Sequence, residues 1–381
     1  MRPPNRKKAR MQRAKELDSI RGLAALAVVI FHLWFPAVGN FGHAVDLFFV
    51  LSGYLITTII LDNALTEGFL FSFYARRSLR IWPAYYLALG IVVLTNGLLP
   101  TPGNLEDLPF YLTYTQEVGH CWIGREPTFP LAFRHTWSLA IQEQFYIFWP
   151  VVIWLVGRRG LPALALATVG LAVAARAWSI NHFILITRCD GLALGGLLAG
   201  LIGDRTSAQQ MSPHSRNRFT ILSLATPGVV LMLLSCTRLL NARWPGLAPA
   251  GSADCLKMLA ANLILVATVG MIVLYSGHPA LRWLRNPLLV YLGTISYGIY
   301  MYHHIIFKLW DNCAASYGWR ENFGIDLFKL GLSIALAILS WHLVERPILA
   351  LKRWLGYQPK AKRPSVEIAS QGTEFSGVKV G

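Results

Sequence analysis

Residues 2–40 read RPPNRKKARMQRAKELDSIRGLAALAVVIFHLWFPAVGN, and the change of character along this stretch decides the fold. Its first part carries Arg2, Arg6, Lys7, Lys8, Arg10, Arg13 and Lys15, whereas no Lys, Arg, Asp or Glu occurs from Gly22 to Asn40. A basic cluster directly ahead of an apolar run of spanning length orients a helix in a bilayer, with the Lys and Arg side in the cytoplasm. His32, Trp34, Phe35 and Pro36 stand where a cleavage site would need small residues, so the run is expected to be kept as a helix.

The rest of the chain repeats the pattern. Of 381 residues, 54% are hydrophobic and 14% charged, against about 25% charged in soluble domains. Mean hydropathy is +0.45, so too few charges exist to coat a water-facing surface. An ordinary cytoplasmic enzyme and a disordered chain are both excluded. Ten apolar segments of spanning length can be marked: 22–40, 43–62, 83–99, 137–156, 161–180, 183–203, 219–240, 255–277, 287–310 and 324–344. Alternating strands of about ten residues, the barrel signature, are absent.

With the N-terminus inside, the inner connections hold 25 Lys and Arg and the outer ones four. The expected fold is therefore all-α and integral to the membrane, with about ten transmembrane helices and both termini cytoplasmic. A basic cytoplasmic segment (1–20), a transmembrane domain (21–350) and a flexible cytoplasmic tail (351–381) follow, with no appended soluble domain. The net charge of +16 sits at the ends of apolar runs, including Lys352, Arg353, Lys360, Lys362 and Arg363. Membrane lipid is thus the expected partner of that charge and nucleic acid is not. Five scattered cysteines form no C-x2-C pair, and no metal site is expected.

An ionisable side chain in a span costs a few kcal/mol, about 2.5–3.5 on insertion scales, so each marks a candidate site. Arg21 and His32 are eleven residues apart, which puts them within about 20° of one helical face and about 16 Å apart along the axis. His43 and Asp46 share a face near the outer mouth of the second span, where Ser52 and Gly53 suit close helix packing. Arg76, Arg77 and Arg80 cluster beside aromatic residues on the inner side, as positive-inside bias or phosphate binding would each require. Glu143 lies inside the fourth span and needs a partner such as His32 or an arginine; Arg188 and Asp190 are expected to pair with each other or with other helices. Tyr300, His303 and His304 lie in the outer half of the ninth span.

Taken together, ELDSIRGLAA with His32 eleven after Arg21, DLFFVLSGYLI, FYARRSLRIWPAYY, WSLAIQEQFY, SYGIYMYH and VERP resemble, in order and spacing, the membrane acyltransferase-3 family. The resemblance covers residues 16–350. It implies a bacterial cytoplasmic-membrane enzyme that moves an acyl group, often acetyl, from acyl-CoA to a hydroxyl of a polysaccharide or an antibiotic. The family's first-helix Arg and His map onto Arg21 and His32, and its R-x-x-R pair onto Arg77 and Arg80. Some members carry a fused extracytoplasmic esterase-like domain; here the sequence ends in a short polar tail, so transfer is expected to finish within the membrane part.

On this reading acyl-CoA is a donor substrate and no cofactor is held permanently. Arg21, Arg77, Arg80 and Arg76 are expected to bind the donor, and Trp137, Tyr300 and His303 to contact substrate. A histidine suits proton removal from an attacking alcohol near pH 7. His32 is the expected base, supported by a carboxylate, and Glu143 and Asp46 both remain open for that role. The acceptor is expected to be a cell-surface carbohydrate such as an exopolysaccharide or O-antigen. A small-molecule alcohol such as a macrolide is the alternative acceptor, and a proton-coupled transporter the alternative class, since intramembrane carboxylates and histidines also build proton relays.

Overall fold

The computed structural model describes residues 14–34, 43–64, 66–123, 129–178, 183–203, 210–243 and 252–355. Most of the expected basic segment and of the expected tail lies outside these residues. Among the described residues all regular elements are helical. They are α1 (Lys15–Trp34), α2 (His43–Asn63), α3 (Phe69–Asn96), α4 (Leu108–Leu112), α5 (Gln116–Ile123), a 3-10 turn (Leu131–Thr136), α6 (Trp137–Ala177), α7 (Leu185–Ile202), α8 (Pro213–Arg243) and α9 (Ser252–Leu274). A second 3-10 turn (Pro279–Arg285), α10 (Pro287–Tyr317), α11 (Phe323–Ser340), a π-helical turn (Trp341–Glu345), α12 (Arg346–Ala350) and a last 3-10 turn (Leu351–Trp354) follow.

The described part of each of the ten apolar segments falls on a helix, but 137–156 and 161–180 belong to two arms of the single helix α6. They join at Gly157, whose φ of 66° and ψ of 179° suit only a residue without Cβ. Among the described residues, seven helical stretches are long and apolar enough to cross a membrane: 15–34, 44–63, 69–96, 131–177, 185–202, 255–274 and 323–354. α10 is not among them, because it gives apolar positions over to Ser296, Tyr300, His303 and His304. Large apolar side chains such as Leu94, Leu155, Leu222 and Leu343 stay exposed, while Asp18, Asp46, Arg176, Arg188 and Asp190 are buried. A bundle that is apolar outside and ionic inside suits hydrocarbon as its solvent.

α1 packs along α10, and the contact is made by glycine. A Cβ on Gly22 would stand 2.6 Å from the Gly293 backbone nitrogen, and one on Gly293 would stand 1.8 Å from the Asp18 carbonyl oxygen. The two backbones therefore touch, as small residues allow in membrane bundles. Gly53 and Gly195 bring α2 and α7 together in the same way, which gives Gly53 of the second span its packing role, whereas Ser52 lines a cavity. Two buried ion pairs tie α7 to its neighbours: Arg176 to Asp190 at 2.8 Å, and Arg188 to Asp46 at 2.9 Å. Arg188 and Asp190 thus pair with other helices and not with one another.

Candidate active site

Histidines from α1, α10 and the turn before α6 meet in one cluster. His32 Nδ1 lies 3.1 Å from His303 Nε2, and the two rings stack with centroids 5.2 Å apart. The His304 ring stands edge-on to His32 at 5.3 Å. His135 closes the group, 4.8 Å from the His304 ring and 5.5 Å from that of His303. His303 is fully buried and His32 half-buried. Among the described residues no His, Cys, Asp and Glu side chains are grouped to hold a metal ion.

Hydrogen bonds to backbone carbonyls, which only accept, fix several protons in this cluster. His303 Nδ1 donates to the Ile299 carbonyl at 3.1 Å and His304 Nδ1 to that of Ala132 at 3.3 Å. The Tyr300 hydroxyl donates to the His135 carbonyl at 2.7 Å, so the Ser138 hydroxyl, also 2.7 Å away, donates to Tyr300. Both ring nitrogens of His135 are buried without a partner. A buried polar group left in this way is costly in a packed interior.

A cavity with about 780 Å³ of empty space, its mouth included, lies beside the cluster. Arg21, Arg77 and Arg80 line it together with Ser52, Tyr146, Ser138 and Tyr300. Its walls thus run from three guanidinium groups to the tyrosine that rests on His135 and His303. Neither His32 nor His303 is in the lining; Tyr300 is, and its ring contacts His303, which stacks on His32. Arg77 lies 4.0 Å above the Tyr146 ring, and its Nε is buried with no partner. Lys352, from the last 3-10 turn, is within electrostatic reach of Arg76, Arg77 and Arg80.

The carboxylates expected beside His32 are elsewhere. Asp46 is bonded to Arg188, whose guanidinium also faces the Phe49 and Trp137 rings. Glu143 accepts a hydrogen bond from Trp82 Nε1 at 3.3 Å and feels the charge of Arg77. Among the described residues no carboxylate bonds His32; its ring partner is the imidazole of His303. Arg188 of α7 holds Asp46 and Trp82 of α3 holds Glu143, so helix packing turns both carboxylates away from His32. Arg76 also departs from expectation: its Nε bonds the Leu355 carbonyl at 2.5 Å, and it does not line the cavity. Trp137 packs on Phe183 with ring centroids 5.1 Å apart, outside the cavity lining. Tyr300 and His303 do join the cluster. The side chain of His43 lies outside the described residues.

The sequence reading missed His135, Ser138 and Glu117. His135 immediately precedes the TWSLAIQEQFY stretch, so extending that stretch by one residue would have included it. Ser138 lies within it, and nothing in the local pattern singles it out. Glu117, in α5 outside the spanning helices, is 3% exposed with neither carboxylate oxygen partnered. Burial pushes its carboxyl well above the usual carboxylate range.

Comparison with known proteins bears on what this arrangement does. The sequence model of one protein family, described as an acyltransferase domain, matches residues 14–342. The chain is 28% identical over 370 residues to the peptidoglycan O-acetyltransferase of Listeria monocytogenes, covering 87% of this chain and 55% of the relative. It is 29% identical over 361 residues to a putative peptidoglycan O-acetyltransferase of Bacillus subtilis, covering 87% and 54%. A putative O-acetyltransferase of Staphylococcus aureus is 28% identical over 362 residues, with coverage of 87% and 56%. The chain spans about half the length of these curated relatives. No solved structure matches it.

Proposed function

Because the chain belongs to the membrane acyltransferase-3 family, we propose that it transfers an acyl group, acetyl, from acyl-CoA to a hydroxyl of a cell-surface carbohydrate. The relatives named for peptidoglycan make that glycan the first acceptor to try. The cavity carries the proposal: it has Arg21, Arg77 and Arg80 in its wall and ends on Tyr300, against the histidine cluster.

The chain lies in the bacterial cytoplasmic membrane with both termini inside, so the arginines face the compartment that holds acyl-CoA. Guanidinium groups match phosphate oxygens in geometry and charge. From Arg21 to His32 is about 16 Å along α1, a distance of the order that an extended pantetheine arm covers. The thioester would approach past Tyr300, and the acceptor hydroxyl would reach His32 from the opposite leaflet.

His32 takes the hydroxyl proton as the oxygen attacks the thioester carbonyl carbon. A tetrahedral oxyanion forms and collapses, the carbon–sulfur bond breaks, and the CoA thiolate recovers the proton from His32. The products are an O-acyl ester and free CoA. General-base help of this kind is worth about 10²–10⁴-fold.

The test is to supply radiolabelled acetyl-CoA and isolated peptidoglycan to membranes carrying wild-type protein or His32→Ala. Label is expected in the glycan with the wild type and not with the variant. Substantially retained transfer by His32→Ala would remove His32 from the role.

A further inference from the structure

We infer that His303 is a positioning residue that sets the tautomer of His32 and leaves His32 Nε2 as the nitrogen that accepts a proton; the use of that nitrogen rests on the acyl-transfer reading. The argument starts at the far end of the pair. The Ile299 carbonyl can only accept, so the nitrogen 3.1 Å from it, His303 Nδ1, carries a hydrogen. A neutral imidazole has one N–H, so His303 Nε2 is then a bare lone pair. The groups in ring contact with His303 are His32, His135, His304, Tyr300 and Phe307, and the charges that reach it are those of His304 and His32, with no carboxylate among them. With no anion beside this fully buried ring, its neutral form is the one the site favours.

The bare Nε2 of His303 faces His32 Nδ1 at 3.1 Å. Two lone pairs do not bond, so the hydrogen between them belongs to His32 Nδ1. His32 Nε2 is left unprotonated; the Val28 backbone, one turn earlier on α1, also lies within hydrogen-bonding reach of the His32 ring. In an acid–histidine dyad a carboxylate holds the imidazole in this tautomer. Here a second imidazole, itself oriented by a carbonyl of its own helix, does the same. When His32 Nε2 takes a proton, its Nδ1–H becomes a charge-assisted donor to His303, which favours the cation formed during transfer. The Gly22–Gly293 contact supplies the register, because His32 and His303 each lie ten residues further along their helices.

The tautomer can be read without turnover. In nitrogen-15 spectra of wild-type protein labelled at histidine in lipid bilayers, the signals lost on His32→Gln should report hydrogen on Nδ1 and a bare Nε2. The opposite tautomer at His32 would overturn the inference. Kinetics with acetyl-CoA and isolated peptidoglycan supply the second arm. His303→Leu removes the acceptor and should lower kcat about 10²-fold while leaving KM for acetyl-CoA unchanged. His303→Gln places an amide oxygen near the lost Nε2 and should recover most of that loss. Equal loss in both variants, or a fall shared between kcat and KM, would indicate a merely structural role and overturn it. Failure of the tautomer shows in the spectrum, and failure of the acyl-transfer reading shows as transfer retained by His32→Ala, so the two are told apart.

Discussion

Gly22 of α1 and Gly293 of α10 meet backbone to backbone, and each stands ten residues before one member of the His32–His303 pair. Because both offsets run in the same chain direction, the helices lie parallel and one contact sets the other. At about 1.5 Å per residue, the glycine crossing and the histidine pair are about 15 Å apart along the bundle. The crossing acts as the fixed point from which the imidazoles are aligned.

Substitution of Gly293 by Ala should therefore separate α1 from α10, since its Cβ would sit 1.8 Å from the Asp18 carbonyl oxygen. Overpacking of this kind costs about 1–3 kcal/mol. Gly293→Ala is expected to lower the thermal midpoint of the detergent-solubilised protein and to reduce acyl transfer. Gly331→Ala, at a helical position with nothing within 4 Å, should be neutral or stabilise by up to about 1 kcal/mol. Equal midpoints for the two variants would refute the account of the crossing.

Much of this architecture was legible in the sequence. Spans depend on hydropathy and length, both local properties, so each apolar segment found its helix. The same locality explains the misreadings. Gly157 was invisible as a join within α6, because a kink and a loop carry the same residues. The partners of Asp46 and Glu143 depend on which helices become neighbours, and one sequence does not encode that in any local pattern. His32 could be nominated from its burial cost, but the identity of its partner, His303, follows only from the α1–α10 register.

Arg77 should act on the donor's phosphates and not on the acyl group. Its guanidinium lies over Tyr146 in the cavity wall with Nε buried and unpartnered. Hydrogen bonds to charged groups contribute about 1.5–3 kcal/mol, or about 10–100-fold. Arg77→Lys keeps the charge and loses the planar fork. KM for acetyl-CoA should rise by about that factor, while kcat/KM for acetyl-pantetheine, which lacks the nucleotide phosphates, stays near wild type. An unchanged KM for acetyl-CoA would take Arg77 out of donor binding.

The Arg176–Asp190 pair makes a prediction about stability alone. Arg176 is fully buried, donates to the Thr187 carbonyl at 2.5 Å and pairs with Asp190 at 2.8 Å. Removing one partner of a buried pair costs about 3–5 kcal/mol because the other charge is stranded. Asp190→Ala should thus reduce the yield of folded protein and lower its thermal midpoint sharply. The double variant Arg176→Leu/Asp190→Leu strands no charge and should be less destabilised than Asp190→Ala. A single variant that melts like the wild type would show that the pair contributes nothing.

Glu117 predicts a stability that depends on pH, and the sign can be worked out. Both its carboxylate oxygens are buried and unpartnered, and burial raises its carboxyl well above the ordinary range in the folded protein. Below the unfolded pKa of about 4.3 both states hold the proton and folding is unaffected. As pH rises from there, the unfolded chain releases the proton first, so stability falls until the folded-state carboxyl ionises in turn. The slope is at most about 1.4 kcal/mol per pH unit. Glu117→Gln cannot ionise, so it should escape this loss. Thermal midpoints of the two proteins should lie close together near pH 4 and separate in favour of the variant by pH 8. A gap that instead closes as pH rises would mean that Glu117 is held as a stabilised carboxylate, contrary to its unpartnered burial in α5.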